Sequence, residues 1–168
     1  MGCMQSKPPI IEGINGDYRD FSDRFKVDRI LGRGEFGTVK LVHRKNDPEE
    51  IPLACKHLRK GMHIEYNTLY MPTKPQMLKN EVNILRTLNG DHHNMKLIEV
   101  YESRSIIYII TEYCELELFK YVTTCFGSSD IRTEDVSRIA FELFDAIAHC
   151  AKNGIIHRGM CQQSLTIQ

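Results

Sequence analysis

With 168 residues, 42% apolar and 26% charged, the chain has the composition of one globular domain, long enough to bury a core. Basic and acidic residues balance at 22 each, so no global field points toward nucleic acid. Six cysteines (Cys3, Cys55, Cys114, Cys125, Cys150, Cys161) form no CxxC pair and no metal-ligand spacing, which predicts reduced thiols in a cytosolic protein and no metal site of that kind. No run approaches the ~18 apolar residues of a membrane span, and the first ten residues lack the apolar core of a secretory signal.

Residues 1–24 read as a disordered tail: Pro8-Pro9, Gly13 and Asn15-Gly16 interrupt scattered charge without a sustained period. Its start, Met1-Gly2-Cys3-Met4-Gln5-Ser6, fits the acceptor pattern for myristate on Gly2 once Met1 is removed. One myristoyl chain binds a membrane only marginally. Cys3 sits where a palmitoyl chain would supply the second signal, which predicts peripheral attachment to the cytoplasmic face of a membrane. A chance match in an unstructured tail is the other reading.

From Phe25 the pattern changes. Phe25–Leu31 alternates like a strand, three glycines follow, and Thr38–His43 is a second alternating, β-branched segment. Ile51–Leu58 is a third strand, with Pro52 near its start. A polar connection over 59–74 leads to a helix carrying Met77, Val82, Ile84, Leu85 and Leu88, ended by Asn89-Gly90. Met95–Tyr101 and Ile106–Thr111 are two further strands. Thr133-Glu134-Asp135 then reads as a capped start to a helix whose apolar face is Val136, Ile139, Ala140, Leu143, Ile147 and Cys150, ending at Asn153-Gly154. The order predicts an α+β fold: a five-stranded antiparallel sheet with one helix, then a helical region.

Gly32-Arg33-Gly34-Glu35-Phe36-Gly37 is a G-x-G-x-x-G string, which dinucleotide-binding folds also use. In those folds the glycines open a helix, with an acid about twenty residues on. Here Gly37 is followed by Thr38-Val39-Lys40-Leu41-Val42, a strand, so the glycines bridge a hairpin and Val39 completes G-x-G-x-x-G-x-V. Glycines in such a hairpin let the backbone approach phosphates closely; a ligand-free glycine-rich hairpin is the alternative. Lys56, in Leu53-Ala54-Cys55-Lys56, falls on the third strand, and Glu81 on the following helix is a candidate to orient it. Read singly, these would be a solvated strand lysine and an exposed helix acid.

Together these segments resemble the eukaryotic protein kinases over nearly everything from Phe25 onward. The resemblance divides the chain into a tail (1–24) and a partial kinase domain (25–168), with an N-lobe over 25–113 (sheet plus C helix) and a hinge with partial C-lobe over 114–168. It implies ATP binding by Leu31, Gly32, Arg33, Gly34, Glu35, Phe36, Gly37, Thr38 and Val39, with Ala54 against adenine and Lys56 on the phosphates, paired with Glu81. It makes Thr111 the gatekeeper, sets backbone groups of Glu112 and Cys114 against adenine, and places Glu117 near the ribose. Asp91-His92-His93-Asn94-Met95-Lys96-Leu97 is similar to the family's H-P-N-I-x-x-L, with His93 replacing proline. The flavour of A-C-K, E-L-F and the M-G-C-x-x-S start is similar to calcium/calmodulin-dependent and calcium-dependent serine/threonine kinases.

The resemblance breaks at the catalytic loop. The family's H-R-D-L-K-P-E-N aligns with His157-Arg158-Gly159-Met160-Cys161-Gln162-Gln163-Ser164. His157 and Arg158 are kept, but Gly159 replaces the aspartate that accepts the substrate proton, Cys161 the lysine, and Ser164 an asparagine that holds Mg²⁺. Thr166 stands where an apolar residue forms the floor under adenine. No D-F-G follows before Gln168, so the expectation is weak ATP binding, no intact Mg²⁺ site and negligible phosphotransfer. Two functions stay open: a partial serine/threonine kinase domain, or a pseudokinase-like interaction module tethered to membrane and binding a protein partner.

Overall fold

The computed structural model describes residues 10–34, 37–60, 75–125, 132–157 and 166–167. In chain order the elements are α1 (Tyr18–Arg24), β1 (Phe25–Gly34), β2 (Gly37–Arg44), β3 (Pro52–Arg59), α2 (Pro75–Leu88), β4 (Leu97–Glu102), β5 (Ile106–Glu112), β6 (Leu116–Glu117), α3 (Leu118–Cys125), α4 (Thr133–Lys152) and β7 (Thr166–Ile167). β1 to β5 form one antiparallel sheet of order β1-β2-β3-β5-β4, and β6 pairs with β7. This is the α+β architecture expected, with strand bounds shifted by up to three residues. The chain divides into two compact units, Met1–Asn83 with Ile98–Ile110 and Ile84–Leu97 with Thr111–Gln168.

In the first unit the alternation of β2 and β3 sends their side chains to two faces. Val42, Leu53 and Cys55 join Tyr108 and Ile110 of β5, Tyr101 of β4, and Phe21 and Phe25 in one buried cluster. Phe21 is its centre. Its ring stacks on Tyr108 (centroids 4.7 Å, 15°) and Phe25 (5.6 Å, 19°), with Tyr101 edge-on at 5.8 Å. Leu41 and Leu58 are buried from the opposite face, the one that carries Lys56.

Phe21 lies inside the segment expected to be a tail, and residues 10–24 are ordered. α1 escapes sequence reading because its seven residues, Tyr-Arg-Asp-Phe-Ser-Asp-Arg, bury only one side chain and so carry no period. So short a helix is not stable alone. A capping box starts it: Asp17 accepts the N–H groups of Arg19 and Asp20, and the Asp20 carboxylate accepts the N–H of Asp17. Burial of Phe21 supplies the rest.

In the second unit α4 begins one residue earlier than expected from a Thr133 cap. Arg132 is the N-cap and makes no side-chain cap bond, and Thr133 is already helical. The Asp135 carboxyl instead meets the Arg132 Nε at 3.3 Å, which holds it below the usual carboxylate range. Gly154, at φ 69°, ends the helix as expected, with the Ile155 N–H donating to the Cys150 carbonyl at 2.9 Å. Ile139, Leu143 and Ile147 are half-buried, whereas Val136, Phe141 and Phe144 are exposed.

The end of α2 and the turn after it belong to the second unit. Polar contacts within that unit account for this. His92 Nδ1 lies 3.0 Å from the Asp145 carboxylate on α4, His92 stacks on His149 at 4.4 Å, and the Cys150 thiol donates to Asn94. His93 adopts φ 60°, which the ring of proline forbids, so the His-for-Pro replacement goes with a left-handed turn that presents both histidines to Asp145.

Candidate functional site

The hairpin of β1 and β2 pairs Gly34 with Gly37, Arg33 with Thr38 and Gly32 with Val39; Glu35 and Phe36 at its tip lie outside the described residues. Its three glycines have different reasons to be glycine. A Cβ on Gly37 would stand 2.0 Å from the His57 carbonyl oxygen, a backbone atom of the neighbouring strand, so the sheet itself excludes a side chain there. A Cβ on Gly32 or Gly34 would meet no atom of the other described residues within 4 Å, and neither takes a positive φ. The described residues give those two no steric reason to lack side chains.

β3 sets the next residues through its register with β2: Lys56 opposite Val39, Ala54 opposite Leu41 and Thr38 opposite His57. Directly opposite residues share a face, so Val39, Ala54 and Lys56 lie on one side of the sheet. Lys56 Nζ donates to Glu81 Oε1 of α2 at 2.5 Å, and both side chains remain about one-third exposed. The pair is a charge-assisted bond that still leaves ammonium donors and carboxylate lone pairs for other groups.

The residues between face the other way. Burial pushes the Cys55 thiol up to about 12, with Lys40 opposing. Burial, helped by Lys40, lowers His57 to about 4, and its buried Nε2 has no hydrogen-bond partner among the described residues.

In the second unit Thr111 is buried and its hydroxyl donates to the Glu112 carbonyl at 3.1 Å. The Glu112 N–H donates to the Lys96 carbonyl at 3.2 Å, and its carboxylate accepts the Lys96 N–H at 2.6 Å. The segment after β5 is therefore fastened to the start of β4. Cys114 is half-buried. Glu117 pairs in register with Thr166, joining two positions that sequence resemblance sets beside a nucleotide. His157 is exposed. Gly2, Cys3, Arg158, Gly159, Cys161 and Ser164 lie outside the described residues.

Sequence reasoning missed two buried carboxylates on β4. Glu99 accepts from Arg24 at 3.1 Å, from Arg44 and from the Tyr101 hydroxyl; burial, then the Glu99 bond, pushes Tyr101 up to about 12. Glu102 pairs with Lys60. The available signal was two acids inside the otherwise apolar Leu97-Ile98-Glu99-Val100-Tyr101-Glu102, since a charge turned inward demands a partner.

A family model described as the protein kinase domain matches residues 25–167. Among curated proteins, the chain is 29% identical over 140 residues to the serine/threonine-protein kinase ksp1 of Schizosaccharomyces pombe, covering 81% of this chain and 27% of that protein. It is 25% identical over 153 residues to the rice (Oryza sativa) serine/threonine protein kinase OSK3, covering 90% and 28%, and 25% identical over 144 residues to the chicken (Gallus gallus) serine/threonine-protein kinase SIK2, covering 85% and 16%. The chain thus spans little more than a quarter of the length of ksp1 and OSK3. With a family match that runs from the first strand of the glycine hairpin through the lysine strand, the orienting helix and the α4 helix, the chain belongs to the eukaryotic protein kinase family.

Proposed function

We propose that this partial protein kinase domain binds ATP through its glycine hairpin and Lys56 but does not transfer the phosphoryl group. The observation that carries the binding half is the Lys56–Glu81 pair at 2.5 Å, on the sheet whose Gly32 and Gly34 are open. A lysine held this way presents a fixed positive charge, and bare backbone at Gly32 and Gly34 admits phosphate oxygens close to N–H groups. Bound ATP supplies the transferable phosphoryl group; this chain's own residues supply binding and orientation. By the family resemblance, Thr111, Glu112, Cys114 and Glu117 would address the base and ribose.

The loss of transfer rests on Gly159 and Cys161. Phosphoryl transfer depends on a positioned base and on charge neutralisation, and general-base removal alone costs about 10²–10⁴ in rate. Titration calorimetry with ATP should give weak binding that Lys56→Met reduces severalfold; a folded chain giving no heat at millimolar ATP would sink the binding half. Phosphate transfer to protein substrates at an ordinary kinase turnover, about 1–100 s⁻¹, would sink the other. The Gly2 and Cys3 pattern supports a membrane-tethered form of the same domain, acting through a protein partner. Intact-mass measurement of protein from its native cell should show a C14 chain on Gly2, and an unmodified N-terminus would end that reading.

A further inference from the structure

Residues 10–16 lie along β4, the edge strand of the sheet. The Asn15 N–H donates to the Val100 carbonyl at 2.7 Å, the Val100 N–H donates to the Asn15 side-chain oxygen at 2.8 Å, and the Glu102 N–H donates to the Gly16 carbonyl at 3.0 Å. Gly16 forms a parallel bridge with Tyr101. At the far end the buried Glu102 carboxylate receives two consecutive backbone donors, the Ile10 N–H on one oxygen (2.6 Å) and the Ile11 N–H on the other (2.8 Å). Lys60 donates to the same carboxylate and to the Ser103 carbonyl at 2.6 Å.

This segment is bound differently from the strands beside it. Ile11 is its only fully buried side chain; Ile10 and Ile14 are half-buried, and Glu12, Gly13 and Asn15 are exposed. Its hold on the sheet is mainly polar, and a segment with so little apolar burial opens at a lower free energy than the sheet. Gly16, at φ 149°, marks its junction with α1, and a Cβ there would fall 2.2 Å from the Asp20 carboxylate. Lys60 decides whether departure is tolerable. Were Glu102 held by the segment alone, release would strand a buried carboxylate; with Lys60 in place the charge stays compensated.

We infer that residues 10–16 are a releasable strap whose latch is the Glu102 carboxylate. Release breaks the bonds that Val100 and Glu102 make to Asn15 and Gly16 while the Lys60–Glu102 pair stays in place.

Hydrogen–deuterium exchange on the full chain tests this. In the wild type the Ile11 and Asn15 amides should exchange measurably faster than the amides of β2 and β3. Glu102→Gln, which keeps the shape but removes the charge and one acceptor, should accelerate the strap amides about tenfold while β2 and β3 stay unchanged. Ile11→Ala should act on the strap alone in the same way, and stands in if Glu102→Gln fails to fold. Equal acceleration of strap and sheet would overturn the inference, because the segment would then be part of one cooperative unit. So would an unchanged strap.

Discussion

Truncating Phe21 to alanine separates the structure most sharply from the expectation of a tail. The side chain is 2% exposed and lies between Tyr108 and Phe25, with Tyr101 edge-on. Buried Phe→Ala changes cost about 3–5 kcal/mol, the spread reflecting how far the site can collapse. Collapse is restricted here: Tyr101 is tied through its hydroxyl to Glu99 and Arg24, and Phe25 is the first residue of β1. The upper half of the range, about 4 kcal/mol, is therefore expected, a large share of the roughly 5–15 kcal/mol that holds a domain together. Tyr18 on the same helix is the control. It is 52% exposed and touches Tyr108 only through tilted rings 5.8 Å apart, so Tyr18→Ala should cost under about 1 kcal/mol. Urea denaturation followed by circular dichroism reads both, with an unchanged m-value confirming that the same transition is compared. If the two variants fall within about 1 kcal/mol of each other, α1 is not part of the cooperative fold and the tail reading was right.

The three hairpin glycines should separate by experiment as they do by geometry: Gly37→Ala should unfold or weaken the sheet, through its 2.0 Å clash with the His57 carbonyl, while Gly32→Ala and Gly34→Ala melt like wild type and lose nucleotide affinity. Equal melting of all three would refute the distinction. Cys55, pushed up to about 12, should resist a disulfide reagent at about pH 8 until denaturant is added, whereas half-buried Cys114 reacts in the native protein. Because its folded value is raised, the Cys55 contribution to stability is present below about pH 9 and lost as pH rises toward 12. His57 runs the opposite way. Its folded value is lowered from 6.5 to about 4, so the stability of the neutral ring is present above 6.5 and lost as pH falls toward 4, and His57→Phe should flatten that limb of the denaturation profile.

The parts legible in sequence were those whose signal is local. A hairpin announces itself by glycines followed by a β-branched strand, and Lys56 was placed by its position on the next strand; the structure sets it opposite Val39 and beside Glu81. What stayed hidden was tertiary in origin. α1 has one buried residue in seven, so its helical state depends on partners far along the chain: Tyr101 and Tyr108 for packing, and the Arg24–Glu99 pair at its end. The strap is less legible still, since Gly13 and Asn15-Gly16 read as turn chemistry, and the acceptor that orders their neighbours is a carboxylate some ninety positions away. Glu99 and Glu102 connect the two cases. Each is an acid placed inward on an apolar strand, and each collects partners from the segment before Phe25, Arg24 on one and the Ile10 and Ile11 amides on the other. A buried charge obliges the chain to bring it donors. The two glutamates of β4 were thus the sequence's one indication that residues 10–24 belong to the fold, written in the partner strand and not in the segment itself.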